Sequence, residues 1–252
     1  ERLSSSAAVE CRKMELAAKQ ELLNEAFAAA VEKGYPIETD VQLTKDGELV
    51  CFHDDSLERM TGKKAYVCDL TLDEIKKLRL GSSDEQVPAF KEFLSLVNGA
   101  VPLLIEIKKP VRPNDVAEKT VAALKGNNGK FVIQSFDPRV LKKVRLANEN
   151  IVRGHLISCY RGGQPFLQYF ALKHGFFNGM AKPDFLNVSF DGLPFKNKRP
   201  VLCWTIRSVA DEDIALKYAD GYVFESIVPR KKEIIALCIL RTLFLCGVFL
   251  FF

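Results

Sequence analysis

The chain has 252 residues, of which 48% are hydrophobic and 27% are charged. This composition excludes a disordered chain, and a core of this size needs neither disulfides nor a metal to fold. The formal net charge is only +4 and the two signs are interspersed, which argues against a nucleic-acid-binding protein. Seven scattered cysteines without a C-x-x-C pair predict reduced thiols in a cytoplasmic setting rather than a disulfide framework or a zinc site.

Short apolar runs alternate with helical stretches along the chain. Each run is bounded by Pro, Gly, Asn or Asp, and the predicted strands are Pro36–Leu43, Glu48–Phe52, Leu103–Lys108, Phe131–Phe136, Val152–Ser158, Phe185–Phe190, Pro200–Ile206 and Gly221–Glu225. Helices are predicted at Lys19–Lys33, from Thr71 to about Arg79, and at Ala89–Val97, Asn114–Leu124, Pro138–Ala147, Gln164–His174 and Val209–Lys217.

Strand followed by helix, repeated with short connections, predicts an α/β fold with a parallel sheet. The first two predicted strands flank an Asp46-Gly47 turn, which is typical of a β-hairpin. If Ser6–Glu10 forms a further strand and the hairpin counts as one elaborated strand, there are eight βα units. We therefore expect a (β/α)8 TIM barrel over residues 1–232, with a small hairpin after the second strand.

The last segment breaks this alternation. Ile234–Phe252 contains a single charged residue, Arg241, and is nearly as long as the ~20 apolar residues that span a bilayer. Three interpretations stay open: a membrane anchor, a buried closing helix, or a tail translated from the wrong frame. The first predicts membrane association through residues 234–252, and the other two predict a cytoplasmic protein.

Acidic residues mark two of the predicted strands. Glu38 and Asp40 are two residues apart and so share one face of a strand, where two like charges are costly unless a cation or a proton lies between them. Glu106 and Lys108 repeat that spacing on a later strand, and a third carboxylate fits a hard-cation site made of oxygen ligands. The alternatives are a polar strand facing solvent and a local Glu–Lys pair.

Two further side chains are candidates for chemistry. His53 follows the strand Glu48–Phe52, and histidine is the side chain most easily tuned for proton transfer near neutral pH. Trp204, the only tryptophan, lies in a predicted strand and is suited to form the wall of a substrate pocket. A structural histidine and a core tryptophan are the alternatives.

These residues lie within motifs that resemble the glycerophosphodiester phosphodiesterase family. The run from Glu38 to Gly47, E-T-D-V-Q-L-T-K-D-G, followed by His53-Asp54, is similar to the signature of that family. Later matches fall in the same order: Leu57 to Gly62, Val87 to Phe90, Glu106-Ile107-Lys108, Gln134-Ser135-Phe136, Trp204-Thr205-Ile206 and Asp220-Gly221.

The resemblance implies a (β/α)8 barrel that hydrolyses a small-molecule glycerophosphodiester to glycerol 3-phosphate and an alcohol, with Mg²⁺ or Ca²⁺. It implies that Glu38, Asp40 and Glu106 are metal ligands and that His53 is one of two catalytic histidines. It further implies that Lys108 contacts the phosphate and that Trp204 forms a wall for the glycerol or the leaving group.

The family's earlier motifs, H-R-G and P-E-N-[ST], are degraded in this chain. No histidine precedes His53, and counting back by typical spacing aligns Cys11-Arg12-Lys13 with H-R-G, so that Cys11 and Arg12 are the candidates there. A thiol is a poor substitute for an imidazole acid or base, which predicts impaired turnover. The alternatives are a non-catalytic barrel that binds phosphate ligands and a different barrel phosphodiesterase that acts on lipid head groups.

Overall fold

The structure is a computed structural model that describes residues 23–159 and 166–230. The described residues divide into two compact units, one of residues 23–101 with 110–129 and one of residues 102–109 with 130–159 and 166–230. The strand predicted at Ser6–Glu10 and the apolar segment 234–252 lie outside the described residues.

The first unit is built around a β-hairpin with helices packed on it. In chain order its elements are α1 (Leu23–Lys33), β1 (Ile37–Leu43), β2 (Leu49–Cys51), α2 (Glu58–Thr61), α3 (Leu72–Lys76), α4 (Phe90–Val97) and α5 (Val116–Ala123). β1 and β2 pair antiparallel with Val41 opposite Cys51, and the turn between them contains Gly47 at φ +80°, a backbone conformation that favours glycine. Phe27 of α1 packs its ring against Phe93 of α4, with centroids 4.6 Å apart.

The second unit carries six parallel strands in chain order. They are β3 (Leu103–Ile107), β4 (Phe131–Ser135), β5 (Arg153–Ile157), β6 (Phe185–Ser189), β7 (Val201–Ile206) and β8 (Gly221–Phe224). The helices between them are α6 (Pro138–Ala147), α7 (Phe166–Lys173), α8 (Asn178–Ala181) and α9 (Val209–Tyr218). Strands β3, β5 and β6 are buried at every residue, as expected for parallel strands covered on both faces.

A buried carboxylate ties α9 to the end of the described chain. Glu212 is fully buried and accepts hydrogen bonds from the Tyr222 hydroxyl at 2.5 Å and from the backbone N–H and Nε of Arg230 at 2.9 and 2.7 Å. Burial raises the pKa of Glu212, but these donors outweigh burial and leave that pKa below its usual value. Glu212 is therefore a charged group that is satisfied on the inner side of α9.

The eight strands predicted between residues 36 and 225 agree with the observed ones to within one residue at each end, because turn residues bound each apolar run. The helix predicted to reach about Arg79 ends earlier, at Lys76, because the chain tightens there and Leu78 N–H donates to the Ile75 carbonyl. The short helices α2 and α8 were not predicted, since four residues are too few to show a helical period.

Candidate active site

An acidic pair occupies one face of β1. Glu38 and Asp40 are both half-buried, and each offers a carboxylate oxygen within 4.8 Å of the other. The alternate residues Ile37, Thr39 and Val41 are buried on the opposite face. The two carboxylates thus lie together as their spacing predicts, in an arrangement whose like charges favour a bound cation.

The hairpin returns the chain along Asp40 just before His53. The N–H of Phe52, the residue before His53, donates to the Asp40 carbonyl at 3.1 Å. The Gln42 amide then holds both sides of His53, because its Nε2 donates to the Phe52 carbonyl at 2.9 Å and to the Asp54 carbonyl at 2.7 Å. No role for Gln42 was predicted, and its position inside the motif was its only signal in the sequence.

The His53 side chain is 61% exposed and contacts the carboxylate of its neighbour. Its Nδ1 lies 2.8 Å from Asp54 Oδ1. Arg59, on α2, donates to both oxygens of the same carboxylate, from Nε to Oδ2 at 2.5 Å and from Nη2 to Oδ1 at 2.8 Å. Partial burial raises the pKa of Asp54, but the hydrogen bonds from His53 and Arg59 outweigh it and hold that pKa well below its usual range.

In the second unit, Glu106 and Lys108 lie next to each other at the end of β3. Glu106 is 7% exposed, and its Oε1 lies 3.0 Å from Lys108 Nζ. Ile107 between them is buried on the other face of the strand. The local Glu–Lys pair is therefore present, and it places an acidic and a basic group together at the carboxyl end of a buried strand.

Trp204 lies on β7 and is fixed by contacts on two sides. Its Nε1 donates to the Asn187 carbonyl at 3.2 Å, and its ring meets Phe136 edge to face with centroids 5.6 Å apart. The Asn187 side chain, fully buried on β6, donates from Nδ2 to Gln134 Oε1 at 2.8 Å. No role for Asn187 was predicted, although a polar residue in the middle of an apolar strand was a signal.

The remaining candidates lie elsewhere. Cys11 and Arg12 are outside the described residues, so the structure says nothing about either. The four described cysteines are free thiols, and burial raises the pKa of Cys51 and of Cys203 to about 12 each. Among residues 23–159 and 166–230, no helix is long and apolar enough to cross a membrane.

The chain is similar to known proteins. The profile of the Glycerophosphoryl diester phosphodiesterase family matches residues 24–219. A glycerophosphodiester phosphodiesterase of Caldanaerobacter subterraneus subsp. tengcongensis is 37% identical over 145 residues, covering 53% of this chain and 60% of that protein. A glycerophosphodiester phosphodiesterase of Bacillus subtilis is 33% identical over 137 residues, covering 46% and 47%. The chain thus spans about half the length of the curated relatives it matches.

Solved structures show the same likeness over a longer stretch. A putative glycerophosphoryl diester phosphodiesterase from Agrobacterium tumefaciens has a TM-score of 0.68 at 18% identity and covers 86% of this chain and 91% of its own. An Oleispira antarctica phosphodiesterase, solved in complex with the product sn-glycerol-3-phosphate, has a TM-score of 0.62 at 23% identity, with coverage of 84% and 89%.

Because the family profile matches well over half of the residues, this chain belongs to the glycerophosphoryl diester phosphodiesterase family. The likeness to the solved structures shows the fold, a (β/α)8 barrel, and confirms the fold class expected from the sequence.

Proposed function

We propose that this chain hydrolyses glycerophosphodiesters to glycerol 3-phosphate and an alcohol, with the help of a divalent cation. One observation carries the proposal: in a member of this family, β1 holds carboxylate oxygens of Glu38 and Asp40 within 4.8 Å of each other, and the β1–β2 hairpin bonds the backbone of Asp40 to that of Phe52, the residue before the exposed His53. A cation-binding face beside a proton-transfer group is what hydrolysis of a charged phosphodiester requires.

The residues proposed to hold the cation are Glu38, Asp40 and Glu106. Their donor set consists of carboxylate oxygens alone, which suits Mg²⁺ and Ca²⁺. In a (β/α)8 barrel, functional residues collect at the carboxyl ends of the strands, and Glu106 is the last residue but one of β3. A cation bound there supplies Lewis-acid stabilisation of the phosphate oxygens.

Lys108 and Trp204 are proposed to bind the substrate. The ammonium group of Lys108 is a compact cation suited to a phosphate oxygen, and Glu106 at 3.0 Å keeps it at the end of β3. The indole of Trp204 is oriented by Asn187 and Phe136, so that it offers a fixed flat surface to the glycerol or to the leaving group.

His53 is proposed to transfer the proton. In the hydrolysis the oxygen of water bonds to phosphorus, the phosphorus–oxygen bond to the alcohol breaks, and the departing oxygen takes up a proton. A positioned histidine accelerates such a step by about 10²–10⁴-fold. In the segment aligned with H-R-G, Cys11 stands at the position of the family's other catalytic histidine, so we expect turnover weakened by a comparable factor, or ~3–5 kcal/mol of barrier.

A second candidate function follows from the degraded H-R-G motif. Carboxylates and a lysine suffice to bind a metal and a phosphate, whereas turnover needs the proton-transfer groups as well. A barrel that binds glycerol 3-phosphate in the presence of a metal without hydrolysing a diester is therefore the alternative.

The experiment measures release of glycerol 3-phosphate from glycerophosphocholine with Mg²⁺, with Ca²⁺ and with EDTA. The matched variants are His53→Ala and His174→Ala, the latter removing an exposed histidine of the second unit. We expect metal-dependent release that His53→Ala abolishes and His174→Ala leaves unchanged. A folded chain that binds glycerol 3-phosphate but releases none would favour the binding barrel, and a chain that does neither would reject both functions.

A further inference from the structure

The carboxylate of Asp54 links His53 to a residue outside the proposed site. Its Oδ1 lies 2.8 Å both from Nδ1 of His53 and from Nη2 of Arg59, and its Oδ2 accepts from Nε of Arg59. An ionised carboxylate accepts hydrogen bonds and donates none, so the imidazole nitrogen that faces Asp54 must be the one that carries the proton. The low pKa of Asp54 agrees with an ionised carboxylate.

Arg59 fixes the plane of that carboxylate. Two donors of one guanidinium bind its two oxygens in a fork, which restricts rotation of the carboxylate more than a single contact does. The restriction matters because the His53 side chain is 61% exposed.

The backbone that carries Arg59 is firmly held. Leu57 and Met60, on either side of it in sequence, are buried in the core cluster that also contains Phe52. The turn of helix ends at Gly62, whose N–H donates to the Glu58 carbonyl at 2.8 Å with φ at +72°. The backbone of Arg59 is therefore anchored in the same core cluster as Phe52, the residue before His53.

We propose that Arg59 is a positioning residue that acts through Asp54 to keep the proton of His53 on Nδ1 and to leave Nε2 as the nitrogen that exchanges protons with the substrate. The proposal rests on the proposed role of His53 in hydrolysis. Its structural part, the arrangement of Arg59, Asp54 and His53, stands independently of turnover, and that part can be tested without substrate.

The first test reads the tautomer of His53 directly. The ¹⁵N shifts of the histidine rings are recorded at about pH 9, where an ordinary imidazole is neutral, and the signal of His53 is identified by its loss in His53→Gln. We expect the Nδ1–H form in the wild type and a shift toward the Nε2–H form in Arg59→Gln. An identical tautomer in the wild type and in Arg59→Gln would overturn the proposal, whether or not the chain hydrolyses any diester.

The second test separates positioning from folding. We expect Arg59→Gln to lower kcat for glycerophosphocholine about tenfold with little change in KM, because proton transfer is weakened and binding is not. Arg59→Lys, which keeps the charge without the fork, should recover part of that loss. Unchanged kcat in Arg59→Gln would overturn the proposal.

The control is Arg112→Gln. It removes another exposed Arg–Asp pair of the first unit, in which Nη1 of Arg112 lies 2.6 Å from Asp69 Oδ1. We expect wild-type kcat and an unchanged His53 tautomer in this control. An equal loss in Arg112→Gln and Arg59→Gln would show a general effect of removing surface charge and would overturn the positioning role. Absence of turnover in the wild type, together with the expected tautomer shift, would reject the proposed hydrolysis and retain the link from Arg59 to His53.

Discussion

Loss of the Gln42 amide should lower the free energy of unfolding more than loss of a side chain with one hydrogen bond does, because the amide bonds the backbone on both sides of His53. Gln42→Met keeps most of the side-chain volume but removes both donors. The Phe52 carbonyl would lose its bond in a buried setting, at a cost of about 1–3 kcal/mol, while the Asp54 carbonyl lies closer to solvent and would lose about 0.5–1.5 kcal/mol. The expected loss in the free energy of unfolding is therefore about 2–4 kcal/mol.

Urea unfolding with linear extrapolation measures this loss. Asn127→Ala is the control, since it removes an amide that donates one bond of 3.2 Å to a neighbouring loop carbonyl, with an expected cost below about 1.5 kcal/mol. In Gln42→Met, kcat should also fall at least about tenfold if His53 transfers the proton as proposed, because a displaced proton-transfer group loses its alignment. A Gln42→Met variant with wild-type stability and wild-type kcat would refute the reasoning.

Three further predictions concern the folded state rather than the reaction. Glu212→Gln should lower the free energy of unfolding by about 1–3 kcal/mol at neutral pH. Because the pKa of Glu212 is lowered in the folded state, the wild type should begin to lose this advantage as pH falls below the usual Glu pKa of about 4.3, and the two urea curves should converge only below the lowered pKa. Gly154→Ala would place a Cβ 2.2 Å from the ring of Phe185 and should cost about 1–3 kcal/mol, measured by thermal unfolding, whereas an unchanged midpoint would show that the ring moves freely. Thr71→Ala removes the hydroxyl that caps α3 and should cost about 1 kcal/mol, with Thr71→Ser close to wild type in the same measurement.

The strands could be predicted from the sequence because each is a short apolar run with turn residues at both ends. The run Leu103–Ile107 and the run Phe185–Ser189 illustrate this, since both are buried throughout and both were located to within one residue. Short helices were missed where four residues such as Glu58–Thr61 carry no repeat that distinguishes a helix from a turn.

In the proposed site, the placement of the acidic residues could be predicted from the sequence, but the contacts that support His53 could not. The shared face of Glu38 and Asp40 follows from the two-residue period of a strand, and it is observed. The support of His53 could not be foreseen in that way, because Gln42 reaches carbonyls 10 and 12 residues away and Arg59 reaches a carboxylate five residues away. Such contacts depend on the path of the hairpin and on a turn of helix that the sequence pattern did not show.

Metal-dependent release of glycerol 3-phosphate by the EDTA-stripped chain tests the central claim most directly. Glycerophosphocholine is supplied first without metal and then with Mg²⁺ or Ca²⁺, for the wild type, for Glu106→Gln and for Glu118→Gln, which alters an exposed carboxylate on α5. We predict no release without metal, restored release in the wild type and in Glu118→Gln, and little or none in Glu106→Gln. Release that continues in EDTA, or that Glu106→Gln leaves unchanged, would contradict the proposed cation site and the mechanism built on it.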